Sequence, residues 1–269
     1  MDDDSRPAGR TLHVVPTDDR FDKPWAAEPS GRVSSRSRLR WWLGLAQLLP
    51  AIPAVEVAAT APGSDDPVQQ AMTREIAGVR VMRPVLASLD LPPTMADYLR
   101  GRSRQALRTN LRKADALGLR AVELLDPALA REVALEVTAN RLGYSEDDPQ
   151  EEWFLGNPGD RWFAVKSADD RWVGFAAIAV SASAAYLRVL FSATAHPDAG
   201  PARYRLHTQV VASLMEDGIE RLWADGPMTT SPGSRYFQGL LGYYCARPSV
   251  RRGRTTGDAA RRAPSGRAA

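Results

Sequence analysis

The chain has 269 residues, 44% of them hydrophobic, and a formal net charge of +3. This length and composition favour one globular core, or two small lobes that share one, and argue against a wholly disordered chain. The only cysteine, Cys245, excludes an intrachain disulfide, and the three histidines are too scattered for a metal site. We therefore expect a metal-free protein of a reducing compartment, the cytoplasm.

The longest apolar run, from Trp41 to Ala59, follows a basic stretch and superficially resembles a membrane anchor. Pro50, Pro53 and Glu56 interrupt this run. Because a membrane-spanning helix needs about 20 consecutive apolar residues, the interrupted run predicts no membrane span.

Both ends of the chain lack apolar periodicity. Residues 1–38 are rich in Asp, Arg, Ser and Pro, and residues 251–269 repeat this character with an excess of Arg. Such segments bury too little apolar surface to fold, so we predict a disordered tail at each end, the second one basic. Residues 39–90 predict a small N-terminal α/β lobe. Its predicted elements are a helix over 41–49, a strand over 55–60, a helix over 66–77 and a strand over 79–89.

Residues 91–250 predict the main domain, an α/β (α+β) unit. Thr94 is a candidate N-cap for a long helix that ends at Gly118. Further along, three strands follow one another with short turns between them, which is typical of antiparallel hairpins. The predicted order after the first helix is a strand over 119–124, a helix over 127–142, strands over 161–167, 172–181 and 184–194, a helix ending at 218, a strand over 220–224, a helix over 234–241 and a strand over 242–247.

This succession, together with three local stretches, resembles the GNAT superfamily of acyltransferases in its Fem-like and cellulose-biosynthesis-like branch. The stretches are YLRGRSRQALRTNLRK (98–113), GPARYRLH (200–207) and YFQGLLGY (236–243). The resemblance implies a mixed sheet that is splayed between its fourth and fifth strands and flanked by helices, with acyl-CoA as co-substrate in the gap. Two positions depart from the family pattern, because Pro197 stands where Arg or Gln is usual and Gln238 stands where Tyr is usual.

The resemblance places a pyrophosphate site at the start of the helix that opens near Pro201. The N-terminus of a helix offers free N–H groups and the positive end of the helix dipole. Gly200 would let the backbone approach the anion closely, and Arg203 and Arg205 would add charge-assisted contacts. The alternative is an ordinary Gly-Pro turn that starts a surface helix. The candidate cofactor-binding residues are Gly200, Ala202, Arg203, Tyr204 and Arg205.

The first predicted helix of the main domain carries Arg104, Arg108 and Arg112 at four-residue spacing, which places them on one face. Such a stripe could steer an anionic acceptor or cofactor. The candidate substrate-binding residues are Tyr98, Arg104 and Arg108. The alternative is a solvated helix face. No aromatic residues alternate with these arginines, so we do not expect a nucleic-acid partner.

Acyl transfer to an amine needs a base that removes a proton from nitrogen and an acid that protonates the departing thiolate. We predict Asp225 as the base, because it follows a strand end, and Tyr236 as the acid. The alternatives are a simple Asp-Gly-Pro turn and an aromatic cleft wall. His207 and Cys245 are expected to be packed inside the protein. The further candidate bases are Glu151, Glu152 and Asp160.

The leading hypothesis from the sequence is an N-acyltransferase of the acetyltransferase type. It would transfer an acyl group from acyl-CoA to an amine or hydroxyl of a small-molecule or cell-envelope acceptor, by direct attack in a ternary complex. One alternative is a Fem-like transferase that takes an aminoacyl group from charged tRNA. The other is a non-catalytic, degenerate GNAT-fold binding module. The sequence predicts neither the acceptor, the acyl chain nor the oligomeric state.

Overall fold

The structure of the chain, a computed structural model, describes residues 14–21, 35–57, 66–76, 79–141 and 159–250. Three predicted features lie outside these ranges in whole or in part. They are the C-terminal tail over 251–269, most of the N-terminal tail, and the acidic loop over 142–158 that contains Glu151 and Glu152.

The described residues form ten β-strands and seven α-helices. The strands are β1 (Ala54–Val57), β2 (Thr73–Ile76), β3 (Val79–Met82), β4 (Leu86–Asp90), β5 (Arg120–Leu124), β6 (Arg161–Lys166), β7 (Trp172–Val180), β8 (Ala184–Ser192), β9 (Arg221–Ala224) and β10 (Tyr244–Val250). The helices are α1 (Ser35–Leu48), α2 (Pro67–Met72), α3 (Met95–Tyr98), α4 (Gln105–Ala116), α5 (Pro127–Ala139), α6 (Ala199–Glu216) and α7 (Pro232–Leu241).

Eight strands form one mixed sheet in the order β1-β10-β4-β9-β8-β7-β6-β5. The run from β5 to β8 is antiparallel, as the short turns predict, whereas β8 and β9 are parallel and are connected through α6. Helices α4 and α6 contribute to the core on one face, and α5 packs on the other. The predicted fold class, a mixed sheet flanked by helices, is confirmed.

Two strands of the region predicted as an N-terminal lobe, β1 and β4, belong to the large sheet. β1 pairs with β10, and β4 lies between β9 and β10 in the large sheet. Four consecutive residues of β4, from Leu86 to Leu89, are buried, which is typical of a central strand covered on both faces. Only the β2–β3 hairpin forms a second, two-stranded sheet among the described residues. Residues 39–90 therefore contribute two strands to the main sheet and form a separate two-stranded sheet.

The helix predicted to run from Thr94 to Gly118 is interrupted. Thr94 caps α3 as expected, because its hydroxyl accepts from the N–H of Asp97, but α3 ends at Tyr98. Gly101 then adopts a φ of +93°, and a 3-10 turn leads into α4. Glycine adopts this positive φ readily, but a residue inside an α-helix cannot, so the helix is interrupted at Gly101. Gly118, with a φ of +66°, follows the end of α4 at the predicted position.

Part of the predicted N-terminal tail packs against the sheet. Phe21 is buried with Val85 and Cys245 in one apolar cluster. The backbone N–H of Cys245 donates to the carbonyl oxygen of Val14 at 2.7 Å. A single aromatic anchor in a polar segment produces no periodic pattern, so the sequence did not reveal this contact.

Candidate functional site

The central feature of the site is the point at which β8 and β9 part. Their parallel pairing runs from Ala184 with Arg221 to Leu187 with Ala224, and β8 continues to Ser192 without β9 beside it. On its other side, β8 has a β-bulge at Arg188, since Ala177 pairs with Val189 and Ile178 pairs with Leu187. A bulge bends a strand and increases its twist. The strands therefore splay beyond Leu187, between the fourth and fifth strands counted from β5.

The splay opens a cleft of about 450 Å³. One wall is the unpaired part of β8, a second is α6, and the third is formed by the loop after β9 together with α7. The polar or charged residues that line it are Arg141, Arg188, Arg203, His207, Asp225, Thr229, Thr230, Ser231, Ser234, Gln238 and Tyr243. Three of them carry a guanidinium group, so the cleft is suited to an anionic ligand.

One face of α6 looks into this cleft. Arg203 and His207 are four residues apart and both line the cleft, and Gly200 precedes Arg203 by three residues on the same face. The first turn of α6 therefore lies toward the Arg203 end of the cleft. The Nε of Arg203 is buried and hydrogen-bonds to no described residue, and its guanidinium lies 5.3 Å from the ring centre of Phe237. No described carboxylate forms an ion pair with Arg203, so its positive charge is available to a ligand in the cleft.

The other candidate cofactor residues point away from the cleft. Ala202 is fully buried in the core that α4 and α6 share. The ring of Tyr204 packs edge-on against Phe237 at 5.0 Å, and burial raises the pKa of its hydroxyl. Arg205 forms an ion pair with Asp115 of α4 at 3.2 Å. Among the five candidates, Arg203 lines the cleft and Gly200 lies on the same face of the helix.

The candidate substrate-binding residues on α3 and α4 contact the protein itself. Tyr98 is 2% exposed, and the guanidinium of Arg104 lies 5.1 Å from the centre of its ring. Arg108 donates to the carbonyl oxygens of Leu99 and Gly101 at 2.5 and 2.8 Å. Two of the three arginines in the predicted stripe therefore stabilise the junction between α3 and α4. None of Tyr98, Arg104 and Arg108 lines the cleft.

Asp225 lines the cleft directly after β9, where the sequence placed a functional carboxylate. Its Oδ1 accepts from the hydroxyl of Tyr186 at 2.6 Å and forms a short ion pair with Arg83. Arg83 also donates to the Tyr186 oxygen at 3.1 Å. Burial, with the charge of Asp225 as the next cause, raises the pKa of Tyr186 well above its usual value. These two contacts fix the side chain of Asp225 at the rim of the cleft, where 41% of it is exposed.

Gln238, and not Tyr236, faces the cleft from α7. The side chain of Tyr236 is 63% exposed and is not among the lining residues. Gln238 is 8% exposed, and its Nε2 donates to the carbonyl oxygen of Asp225 at 2.9 Å. Its Oε1 is buried and accepts no hydrogen bond from the described part of the chain. The departure from the family pattern at Gln238 was the sequence signal for this position.

A buried chain of three polar side chains lies beneath the cleft. The Nε2 of His207 is 2.9 Å from the hydroxyl of Tyr243, and its Nδ1 is 3.5 Å from the hydroxyl of Tyr98. Burial, with the charge of Arg104 as a second cause, lowers the pKa of His207 to about 3. The imidazole is therefore neutral at physiological pH. The sequence predicted that His207 is packed but gave no sign of its partners.

Asp160, a further candidate base, and Cys245, which the sequence predicted to be packed, both make structural contacts. The fully buried side chain of Asp160 pairs with Arg188 at 2.8 Å, which offsets one of the positive charges of the cleft. Cys245 is buried in the cluster around Phe21, and burial raises the pKa of its thiol to about 12. A thiol with this pKa is protonated at neutral pH, so Cys245 is a small apolar group and not a nucleophile.

No protein-family model and no curated protein matches the chain. Among solved structures it is similar to a C-terminal DUF2156 domain from Agrobacterium fabrum, with 18% identity over 60% of this chain and 58% of that chain and a TM-score of 0.42. L-PGS from Bacillus licheniformis is 16% identical over 65% and 62%, with a TM-score of 0.42. A GCN5-related N-acetyltransferase from Kribbella flavida is 16% identical over 61% and 54%, with a TM-score of 0.30.

The alignment with the first of these structures spans 58% of that protein's length, and the alignment with the second spans 62%. Within the described ranges, no helix is both long and apolar enough to cross a membrane. The same ranges contain no group of three His, Cys, Asp or Glu side chains placed to hold a metal ion.

Proposed function

We propose that the chain is an N-acyltransferase that binds acyl-CoA in the cleft and transfers the acyl group to an amine or hydroxyl acceptor in a ternary complex. The observation that carries this proposal is the unpaired edge of β8 from Arg188 to Ser192, which faces a cleft of about 450 Å³. The acceptor class in the proposal is a small molecule or a cell-envelope component.

The arm of CoA suits this edge chemically. It is an extended chain with two amide groups, and an unpaired strand edge offers N–H and C=O groups that such a chain can pair with. The walls provided by Leu190 and Phe237 are apolar and suit the methylene groups between the amides. The acyl thioester would then lie near Ala224, where the strands meet.

The phosphates of CoA suit the end of the cleft that lies next to the first turn of α6. The first turn of α6 and the guanidinium of Arg203 lie at that end of the cleft. A helix N-terminus and an arginine both bind phosphate oxygens, and Arg203 is half-buried with an Nε that bonds to no described residue. Arg141, which lies over the ring of Phe191 at 5.5 Å, supplies a second cation.

The proposed reaction balances without a further co-reactant. The acceptor nitrogen attacks the thioester carbonyl carbon, the C–S bond breaks, and the proton lost by nitrogen replaces the proton taken up by sulfur. The Oδ1 of Asp225 already accepts hydrogen bonds from Arg83 and Tyr186, which fix the position of the carboxyl group. We therefore assign Asp225 the role of accepting a hydrogen bond from the acceptor amine and orienting it. The exposed Tyr236 has no role in this scheme.

The first test combines binding with turnover. Acetyl-CoA and longer acyl-CoA thioesters are added in a thermal unfolding experiment, and thiol release is then followed with a panel of amines. Ligand at a hundredfold excess over Kd stabilises the folded state by about 2.7 kcal/mol, which corresponds to a rise in Tm of about 5–10 °C. No rise with any acyl-CoA would contradict the proposal.

Two further arms separate the alternatives. If acyl-CoA does not bind but the chain accelerates aminoacyl transfer from charged tRNA, the donor is an aminoacyl ester of RNA. If acyl-CoA binds and no acceptor yields thiol release, the chain is a binding module. Arg203→Glu is the binding-deficient variant, and Arg205→Glu is its matched control, since Arg205 pairs with Asp115 outside the cleft.

A further inference from the structure

The side-chain amide of Gln238 has one end bonded within the protein and one end unsatisfied. Gln238 lies in α7, lines the cleft and is 8% exposed. Its Nε2 donates to the carbonyl oxygen of Asp225 at 2.9 Å. Because a carbonyl oxygen only accepts, this bond fixes which end of the amide is the nitrogen. The Oε1 is buried and accepts no hydrogen bond from any described residue. A buried acceptor without a donor is costly, so a ligand donor at this atom would be favourable.

The wall of the cleft around Gln238 is rich in acceptor oxygens. The hydroxyls of Thr229 and Thr230 each donate to the carbonyl oxygen of Gly226 at 3.1 Å, which leaves their oxygens to accept. Both threonines line the cleft on the same wall as Gln238. The carboxyl group of Asp225 adds further acceptor oxygens at the rim. A ligand that complements this wall therefore carries more than one O–H or N–H donor.

The position of this wall assigns it to the acceptor molecule. In the proposed function, the arm of CoA pairs with the edge of β8, which forms a different wall of the cleft. Asp225 orients the attacking amine, and the side chain of Gln238 bonds to the backbone of this same residue. The Oε1 of Gln238 and the carboxyl group of Asp225 therefore lie within reach of one small molecule. A hydroxyl group next to the amine would supply the second donor.

We infer that the acceptor is an amino alcohol, whose amine binds Asp225 and whose hydroxyl, on the neighbouring carbon, donates to the Oε1 of Gln238. This inference rests on the proposed function and narrows its acceptor class. Gln238 is then the residue that determines acceptor specificity. An amine without the hydroxyl leaves the Oε1 unsatisfied, and a site built to bond a hydroxyl strongly rejects the analogue that lacks it.

The first test is an NMR titration of the full chain, labelled in the side-chain amides of glutamine, with and without CoA. The variant Gln238→Met identifies the signal of Gln238. We expect 2-aminoethanol to shift the carbonyl carbon signal of Gln238, because a hydrogen bond to Oε1 polarises the amide. Propylamine has a methyl group in place of the hydroxyl and should leave this signal unchanged. Equal shifts with the two amines, or no shift with 2-aminoethanol, overturn the inference.

The second test is kinetic and compares the same two amines at saturating acetyl-CoA. The quantity measured is the ratio of kcat/KM for 2-aminoethanol to kcat/KM for propylamine. Gln238→Met keeps a side chain of similar size without the acceptor, and we expect this ratio to fall by about 10- to 100-fold from its wild-type value. Because the ratio is taken within each variant, the different reactivities of the amines and any loss of folded protein cancel.

The matched control is Gln209→Met. Gln209 is a half-buried residue of α6 that does not line the cleft, so this variant should keep the wild-type ratio. An equal ratio in wild type and Gln238→Met overturns the inference and leaves the proposed function standing. The same result is expected if an ordered water satisfies the Oε1. Failure of acetyl-CoA to bind, with the Gln238 signal still shifted by 2-aminoethanol alone, would contradict the proposed function and support the amino alcohol site.

Discussion

Leu187 and Ala224 form the last pair between β8 and β9. Each of them is followed directly by a charged residue that lines the cleft. Arg188 forms the bulge that turns β8 away, and Asp225 begins the loop that carries β9 toward α7. The two strands therefore separate at the same positions that place charged side chains in the cleft.

Arg203 and Arg205 differ by two positions on α6 but have different surroundings. Arg203→Ala should weaken acetyl-CoA binding by about 10- to 100-fold, since charge-assisted hydrogen bonds contribute about 1.5–3 kcal/mol. Arg205→Ala should leave binding within about twofold and lower stability by less than about 1 kcal/mol, because its ion pair with Asp115 is solvent-exposed. Isothermal titration calorimetry measures both. Equal losses in the two variants would contradict the orientation of α6.

Gly226 has no room for a side chain. A Cβ at this position would lie 2.1 Å from the carbonyl oxygen of Val85, a backbone atom next to β4. Gly226→Ala must therefore separate the Asp225 loop from β4, and we expect a loss of about 3 kcal/mol in the free energy of unfolding. Gly200→Ala is the control, because a Cβ there meets nothing within 4 Å. Urea denaturation measures the stability of both variants. Similar stabilities would contradict the close approach of Gly226 to the backbone of Val85.

His207 should make the protein sensitive to acid. Burial lowers the pKa of His207 in the folded chain to about 3, below the ordinary value of 6.5, so between these pH values the unfolded chain binds a proton that the folded chain does not. The stabilising contribution is complete above pH 6.5 and is lost as the pH falls from 6.5 toward 3. Between about pH 7.5 and about pH 5 we expect a loss on the order of 2 kcal/mol. In His207→Gln this part of the pH dependence should be absent from urea denaturation curves, and an unaltered slope would refute the neutral, buried imidazole.

Asp225 should matter for transfer and not for donor binding. Asp225→Asn removes the charge that pairs with Arg83. It also weakens the hydrogen bond that Asp225 would accept from the N–H of the attacking amine. We expect kcat to fall by about 10-fold or more with the acetyl-CoA affinity unchanged. The control is Asp90→Asn, since Asp90 pairs with Arg221 at the opposite end of β9. If Asp225→Asn instead abolished acetyl-CoA binding, the assignment of Asp225 to the acceptor side would be wrong.

Local signals in the sequence predicted the elements that depend on local chemistry. Thr94 and Gly118 mark helix ends through capping and a positive φ, and the short turns around β7 predict its hairpins. Local signals did not predict the order of strands in the sheet, because that order depends on which strands pair. The inclusion of β4 between β9 and β10 depends on pairings with residues far along the chain, which no spacing reveals.

The sequence indicates that Asp225 follows a strand and that Arg203 lies in a helix, but it does not indicate what surrounds these two residues. Asp225 follows a strand end, but Arg83 is separated from it by 142 residues in sequence and comes from the region predicted as a separate lobe. Whether Arg203 or Arg205 faces the cleft depends on the packing of α6 against α4. The direction of His207 toward two tyrosines likewise depends on three elements that meet only in the folded chain.

The central claim is that the unpaired edge of β8 receives the donor. Backbone amide hydrogen exchange, measured with and without saturating acetyl-CoA, tests it most directly. We expect slower exchange over residues 188–192 and 199–203 in the wild type, and no such change in Arg203→Glu at the same acetyl-CoA concentration. Bound acetyl-CoA with unchanged exchange over 188–192 would contradict it.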